Sequence, residues 1–259
     1  VLMPTAGEAR VAGLVPWRQR KALASRIGVV FGQRNALWDE LPLRESFDLV
    51  RALYRIPAPA ARQRVAELAG VLDLGPLLDQ RPRTFSLGQR MRANLAAAVL
   101  PAPPVLFLDE PTIGLDVEAK AVVREFLAAL NSREGTTVLL TTHDLDDMTA
   151  LARRLMVIDH GRLVYDGTVD GLRSAYGAER VLMVDLRERP AGAFAVDEAR
   201  LLRSEGHRHW LAFSRGTSAA EVIGRVLARY DVADLTLEEP DLEDVIRRIY
   251  RGEVSLPSG

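Results

Sequence analysis

The order of apolar and polar positions changes twice along the chain. The opening segment alternates in short strand-like runs. Residues 10–14 follow a turn at Thr5-Ala6-Gly7, and residues 26–31 read as a buried strand entering the polar loop Gly32-Gln33-Arg34-Asn35. Residues 43–55 and 60–74 then repeat apolar side chains at helical spacing. Pro57 and Pro59 separate the two runs, and Gly75-Pro76 ends the second. A further helix is predicted from Ser86, which has capping-box spacing to Gln89, as far as Leu100, where Pro101 stops it. Residues 43–100 thus read as a helical insert.

Four apolar residues follow at once. Val105-Leu106-Phe107-Leu108 has the length and composition of a strand covered on both faces. Asp116 is placed to cap a helix over residues 117–131 ahead of Gly135. Residues 137–142 form the next strand, and Asp144 caps a helix toward residue 154. Strand, helix, strand at this spacing implies a right-handed crossover and a parallel sheet, so the fold class is α/β. Residues 155–158 and 163–165 flank Asp159-His160-Gly161 as a hairpin. After Ser174 the texture shifts again, to strands at 181–186, 199–204, 209–213 and 232–237 and helices at 219–230 and 242–250. This is a small α+β appendage, and the expected domains are residues 1–174 and 175–259.

Composition narrows the function by exclusion. The 259 residues are 48% hydrophobic and 27% charged, which is ordinary for a globular chain and argues against disorder. The net charge of −1 gives no reason to expect nucleic acid as a partner. With no Cys there is no disulfide scaffold, thiolate zinc site or Cys nucleophile. No segment has the apolar length of a membrane span, and Pro101, Pro103 and Pro104 break the most apolar stretch. The first residues, VLMPTAGEAR, lack the pattern of a signal peptide.

Four places carry candidate chemistry. Asp109 and Glu110 close the strand Val105-Leu106-Phe107-Leu108, and in open parallel sheets ligands bind at that edge. One carboxylate there can hold Mg²⁺ and the other can orient or deprotonate a water; two solvated carboxylates at a strand end would look the same. His143 ends the next predicted strand, so its imidazole shares that edge and can bond a terminal phosphate, although a lone His is commonly a surface residue. The run Ser86-Leu87-Gly88-Gln89 starts a helix whose free N–H groups suit a phosphate, while its capping box also explains the helix start without any ligand. Gln33, after the first buried strand, can touch metal-bound water or belong to a plain turn.

Taken in order, Gln33, Ser86-Leu87-Gly88-Gln89, Leu108-Asp109-Glu110-Pro111-Thr112, Gly114-Leu115-Asp116 and His143 resemble the ATP-binding cassette (ABC) ATPases. The resemblance covers most of residues 1–170 and implies a P-loop NTPase-like cassette fold. It makes Gln33 the Q-loop glutamine, also near the metal, and Ser86, Leu87, Gly88 and Gln89 the signature motif. It makes Asp109 the metal-binding aspartate, Glu110 the catalytic glutamate, Asp116 a D-loop residue and His143 the switch histidine. The stretch Gly28-Val29-Val30-Phe31-Gly32-Gln33-Arg34 and the tail Asp241-Leu242-Glu243-Asp244-Val245 are similar to ATPases of ABC-2-type exporters. The resemblance implies ATP and Mg²⁺ as ligands, a separate transmembrane permease with the loop from Gln33 to Pro42 and Trp38 docked on it, a second cassette as homodimer partner, and a place at the cytoplasmic face of the membrane. A soluble ABC ATPase acting on ribosomes or DNA and a non-catalytic fragment are the other readings.

Two departures stand out. Leu87 occupies a position where the family most often has Gly, and its side chain is expected to point away from phosphate. Neither Lys21 nor Lys120 follows a Gly, so the phosphate-loop pattern G-x-x-x-x-G-K-[ST] is missing from these residues. The resemblance places that loop ahead of residue 1, and the chain is expected to be truncated there. Without its N–H cradle and Lys, Asp109 and Glu110 have no fixed phosphate between them. The 259-residue polypeptide by itself is therefore expected to bind ATP very weakly and not to turn it over. Titration with a fluorescent ATP analogue checks this, and micromolar affinity would contradict it.

Overall fold

The computed structural model describes residues 2–32, 35–176, 179–188, 190, 192–214, 216–238 and 245–246. In chain order, a short helix α1 (Arg20–Ala24) leads into strand β1 (Ile27–Phe31). Two helices follow, α2 (Leu43–Leu53) and α3 (Ala58–Val71), the latter with Pro59 in its first turn, where a missing N–H loses no bond. Single 3₁₀ turns at Gly75–Leu77 and Pro82–Thr84 lead to α4 (Leu87–Val99). Then come β2 (Val105–Asp109), α5 (Val117–Glu134), β3 (Thr137–Thr141) and α6 (Leu145–Leu151). Asp116 caps α5 by accepting the Ala119 N–H at 2.8 Å, and α5 ends at Gly135 in the left-handed region.

The chain divides into two compact units between Leu151 and Ala152. In the first, β1, β2 and β3 form a parallel sheet with β2 in the middle. Its register sets Phe31, Asp109 and Thr141 in one row, so all three strands end at the same edge. Leu106 and Leu108 of β2 and Val30 of β1 share one core with Phe47, Leu72, Met91, Leu95, Val123 and Leu127 from the helices.

The sequence pattern of β2 promises cover on both faces. Leu106 and Leu108 are buried, but Val105 and Phe107 are only half-buried. The helical core residues all cluster with the Leu106 and Leu108 face, so among the described residues the two faces differ. Residues 10–14 also depart from the expected strand. Only Val11 and Leu14 pair, across a two-residue turn in which Ala12 and Gly13 have φ of 48° and 77°. Five residues cannot make both the turn and a strand.

The second unit starts with a hairpin, β4 (Leu155–Asp159) and β5 (Arg162–Gly167), turned by His160 and Gly161 at φ 45° and 74°. Helix α7 (Val169–Tyr176) follows. Strands β6 (Glu179–Leu186), β7 (Arg200–Glu205), β8 (Arg208–Ser214) and β9 (Val232–Glu238) pair antiparallel in the order β7-β8-β6-β9. Helix α8 (Ala219–Arg229) lays Val222 and Val226 on Leu182, Val184, Leu211 and Phe213. Contacts place the β4–β5 hairpin and α7 with this unit, ahead of the change in sequence texture at residue 174. The helix expected at 242–250 lies outside the described residues, except for Val245 and Ile246, which are helical.

Because Leu106 is fully buried at the middle of the sheet, Leu106→Ala should destabilise the first unit by about 2–5 kcal/mol, while Leu227→Ala on an exposed part of α8 should change stability by less than about 0.5 kcal/mol. Urea unfolding measures both.

Candidate functional site

The shared strand edge assembles the site. Asp109 is the last residue of β2, and its Oδ1 accepts the Thr141 hydroxyl at 2.7 Å. Thr141 stands opposite Asp109 in the register of β2 and β3, so this bond follows from strand pairing. Glu110 comes next. Its N–H donates to the Thr141 carbonyl at 3.0 Å, which continues the β2–β3 ladder one residue past the strand. Its backbone then turns into the left-handed region with φ 51°, which re-aims the side chain away from the strand direction.

That turn brings Glu110 to His143. Oε1 of Glu110 and Nδ1 of His143 are 2.9 Å apart. Thr142 helps set the imidazole by accepting the Asp144 N–H at 3.0 Å on its hydroxyl, which fixes the loop on the far side of His143. The hydrogen bond to Glu110, and next the negative charge of that carboxylate, hold the imidazole pKa above the ordinary histidine value. Asp144 adds to this weakly, while partial burial and Lys120 oppose it. The imidazole is 73% exposed and the carboxylate 30%, so one member of the pair faces solvent.

The loop bearing Gln33 leaves β1 at the same edge. The Gly32 N–H donates to the Asp109 carbonyl at 2.7 Å, and a Cβ at Gly32 would fall 2.6 Å from the Glu110 carbonyl oxygen. Only glycine allows this approach. Gln33 itself lies outside the described residues.

The Ser86-to-Gln89 run behaves as its capping box requires. Gln89 N–H donates to Ser86 Oγ at 3.2 Å, and Ser86 N–H donates to Gln89 Oε1 at 2.9 Å. Each side chain thus accepts from the other residue's backbone N–H. Leu87, expected to turn away from phosphate, lies over Gly114, whose φ is 69°; a Cβ there would sit 2.8 Å from Leu87 Cδ2. Gly88 lets the start of α4 approach Ala119 of α5, with a Cβ-to-Cβ distance of 3.1 Å were a methyl present. The starts of α4 and α5, with Ser86 and Asp116 as caps, are therefore adjacent.

The structure thus pairs Glu110 with His143 at the strand edge where Asp109, held by Thr141, ends β2, and it sets Ser86, Leu87, Gly88, Gln89 and Asp116 at two neighbouring helix starts. Thr141, which holds Asp109, was not singled out from sequence as a partner; its place opposite Asp109 appears only once the strand register is known. For chemistry, Asp109 offers a hard carboxylate oxygen, the donor type that Mg²⁺ takes, with its other oxygen steadied by Thr141. Glu110, tied to an imidazole, can hold and exchange a proton.

A family model described as ABC transporter matches residues 1–113. Daunorubicin resistance ATP-binding protein DrrA2 of Streptomyces coeruleorubidus is 37% identical over 252 residues, spanning 94% of this chain and 77% of that one. Among solved structures, cbiO1 of Clostridium perfringens, part of the ABC transporter complex cbiONQ, aligns at 26% identity with a TM-score of 0.58, over 65% of this chain and 68% of that one. A dimeric ATP-binding cassette in a post-hydrolysis state, bound to ADP and Pi, aligns at 26% identity with a TM-score of 0.56, over 64% of this chain and 74% of that one.

The Glu110 carboxylate favours the imidazolium form, so the ion pair is present below the raised pKa of His143 and is lost as pH rises through it. Glu110→Gln removes that charge, and the His143 pKa should fall toward the ordinary value. An NMR pH titration of the His143 ring protons measures the shift, and an unchanged midpoint would show that the contact is absent in solution.

Proposed function

The chain belongs to the ATP-binding subunits of ABC transporters, ATPases built on the P-loop NTPase-like cassette, and from that premise we propose how its residues carry out ATP hydrolysis. Glu110 is the catalytic base. It orients the attacking water and takes its proton. His143 reports the terminal phosphate and steadies Glu110, and Asp109 holds the metal; the family resemblance adds Gln33 as a further metal-site residue. Mg²⁺ supplies the charge that offsets the terminal phosphates when bound. The observation that carries this reading is the 2.9 Å contact of Glu110 with His143 at the strand edge where Asp109 ends β2.

The start of α4 serves a different nucleotide. Ser86, Gly88 and the free N–H groups of that helix form an anion site, and Leu87 leaves it open by packing on Gly114. Set against a second cassette, this end closes over the partner's ATP, with Gln89 holding Ser86 in place and Asp116 at the same face. Dimeric assembly is supported by the solved cassette dimer. Closing on ATP and opening after hydrolysis is work drawn from the difference in ATP affinity between the two states.

The transport role follows from the relatives. No helix among the described residues is long and apolar enough to cross a membrane. On this reading, a permease chain supplies the pore and holds this subunit at the cytoplasmic face. Trp38 and the exposed Leu49, Leu53 and Tyr54 of the helical insert are the surface offered to it. The similarity to a daunorubicin resistance ATP-binding protein favours an exporter. Residues 175–259 are read as an accessory domain.

In the protein that carries the phosphate-binding loop and is assembled with its permease, Glu110→Gln should lower kcat by about 10²–10⁴-fold while ATP binding persists. Phosphate release and nucleotide binding are measured on the same preparation. A Glu110→Gln protein with full turnover would sink the assignment.

A further inference from the structure

A network of charged side chains, with Asp147 buried and Asp144, Lys120 and Arg124 partly exposed, adjoins the loops that carry Glu110 and His143 and has no part in the proposed chemistry. Asp147, in the first turn of α6, is fully buried, and a buried carboxylate persists only when it is paired. It accepts the hydroxyl of Thr112, itself 1% exposed, and it pairs with the Arg124 guanidinium at 2.6 Å. Asp144 pairs with Lys120 and lies 3.5 Å from Arg124, and its Oδ1 accepts the N–H groups of Asp146 and Asp147 at 3.0 and 3.2 Å. Bonding to Lys120 holds the Asp144 carboxyl below its ordinary pKa range. Lys120 and Arg124 are one turn apart on α5, so a single face of that helix grips both carboxylates.

The placement of these groups in sequence gives the network its significance. Thr112 is two residues beyond Glu110, and Asp144 is the residue after His143. The loop that leaves β2 and the loop that leaves β3 are therefore fastened to the same helix, α5. Glu110 sits between two anchors. On one side its N–H is bonded to Thr141, and on the other Thr112 is bonded to Asp147. Its positive φ persists only if its surroundings over-determine it.

Resting on the reading of Glu110 and His143 as the reacting pair, we propose that Asp147 is a positioning residue, which by fastening Thr112 to Arg124 holds the Glu110 carboxylate within hydrogen-bond distance of His143. Asp147 touches no substrate. It acts through the two loops, and its loss frees Glu110 to relax out of the left-handed region.

The test reads the imidazole nitrogen signals of His143 in the full chain at one fixed pH. Thr112→Val removes the hydroxyl at nearly constant shape, and Thr112→Ser keeps it. The expected result is that Thr112→Val moves the His143 Nδ1 signal to the position it takes in Glu110→Gln, while Thr112→Ser leaves it at the wild-type position. Asp147→Asn, where circular dichroism shows it folded, should move the signal in the same direction; the Thr112 pair decides the matter if it does not fold. A Thr112→Val protein that melts earlier yet keeps the wild-type His143 signal overturns the proposal, because the network is then only structural. If Glu110→Gln leaves the His143 signal unmoved, the pair itself does not exist in solution. That result overturns the proposal too, and identifies the catalytic reading as what failed.

Discussion

Parallel pairing of β1, β2 and β3 in register is the constraint on which the chemistry depends. Parallel strands cannot be joined by tight turns, so each connection carries helices back over the sheet. Every strand then ends at one edge, and every following helix is entered from that edge. Phe31, Asp109 and Thr141 occupy one row of the ladder. The same edge that collects strand ends also collects helix starts, capped by Asp116 and Asp144. Carboxylates, an imidazole and free helix N–H groups are gathered there by topology, before any side-chain preference acts.

Signals confined to a few consecutive residues were legible in the sequence. The Ser86–Gln89 box, the Asp116 cap and the His160-Gly161 turn each need only four or five residues, and each forms where the pattern puts it. The acidic strand end and His143 were legible for a similar reason. An apolar run followed by Asp109-Glu110 fixes a strand end, and a second run ending in Thr141-Thr142-His143 fixes its neighbour. What was not legible depends on partners far along the chain. Val105-Leu106-Phe107-Leu108 reads the same whether one face or both are covered, since composition cannot count neighbours. Asp144, Asp146 and Asp147 look alike as an acidic helix start, and only the crossover that brings Thr112 and Arg124 alongside makes Asp147 the buried one.

The backbone of Glu110 shows how the constraint and the chemistry meet. A non-glycine residue in the left-handed region costs about 1–2 kcal/mol, and glycine would remove that cost. Glycine would also remove the carboxylate that contacts His143. An aspartate or glutamate left in extended conformation would continue β2, with its side chain on the face opposite to that of Asp109. With the strained turn in place, Asp109 stays with Thr141 and Glu110 reaches the imidazole. Gly32 completes the arrangement from the other side. The glycine is placed where the carbonyls of Asp109 and Glu110 press closest, and the strain is left on the residue whose side chain is needed. The local rule that glycine takes the positive φ is broken at Glu110, as it is at Ala12 and His160, and here obeying it would leave the strand edge without the carboxylate that contacts His143.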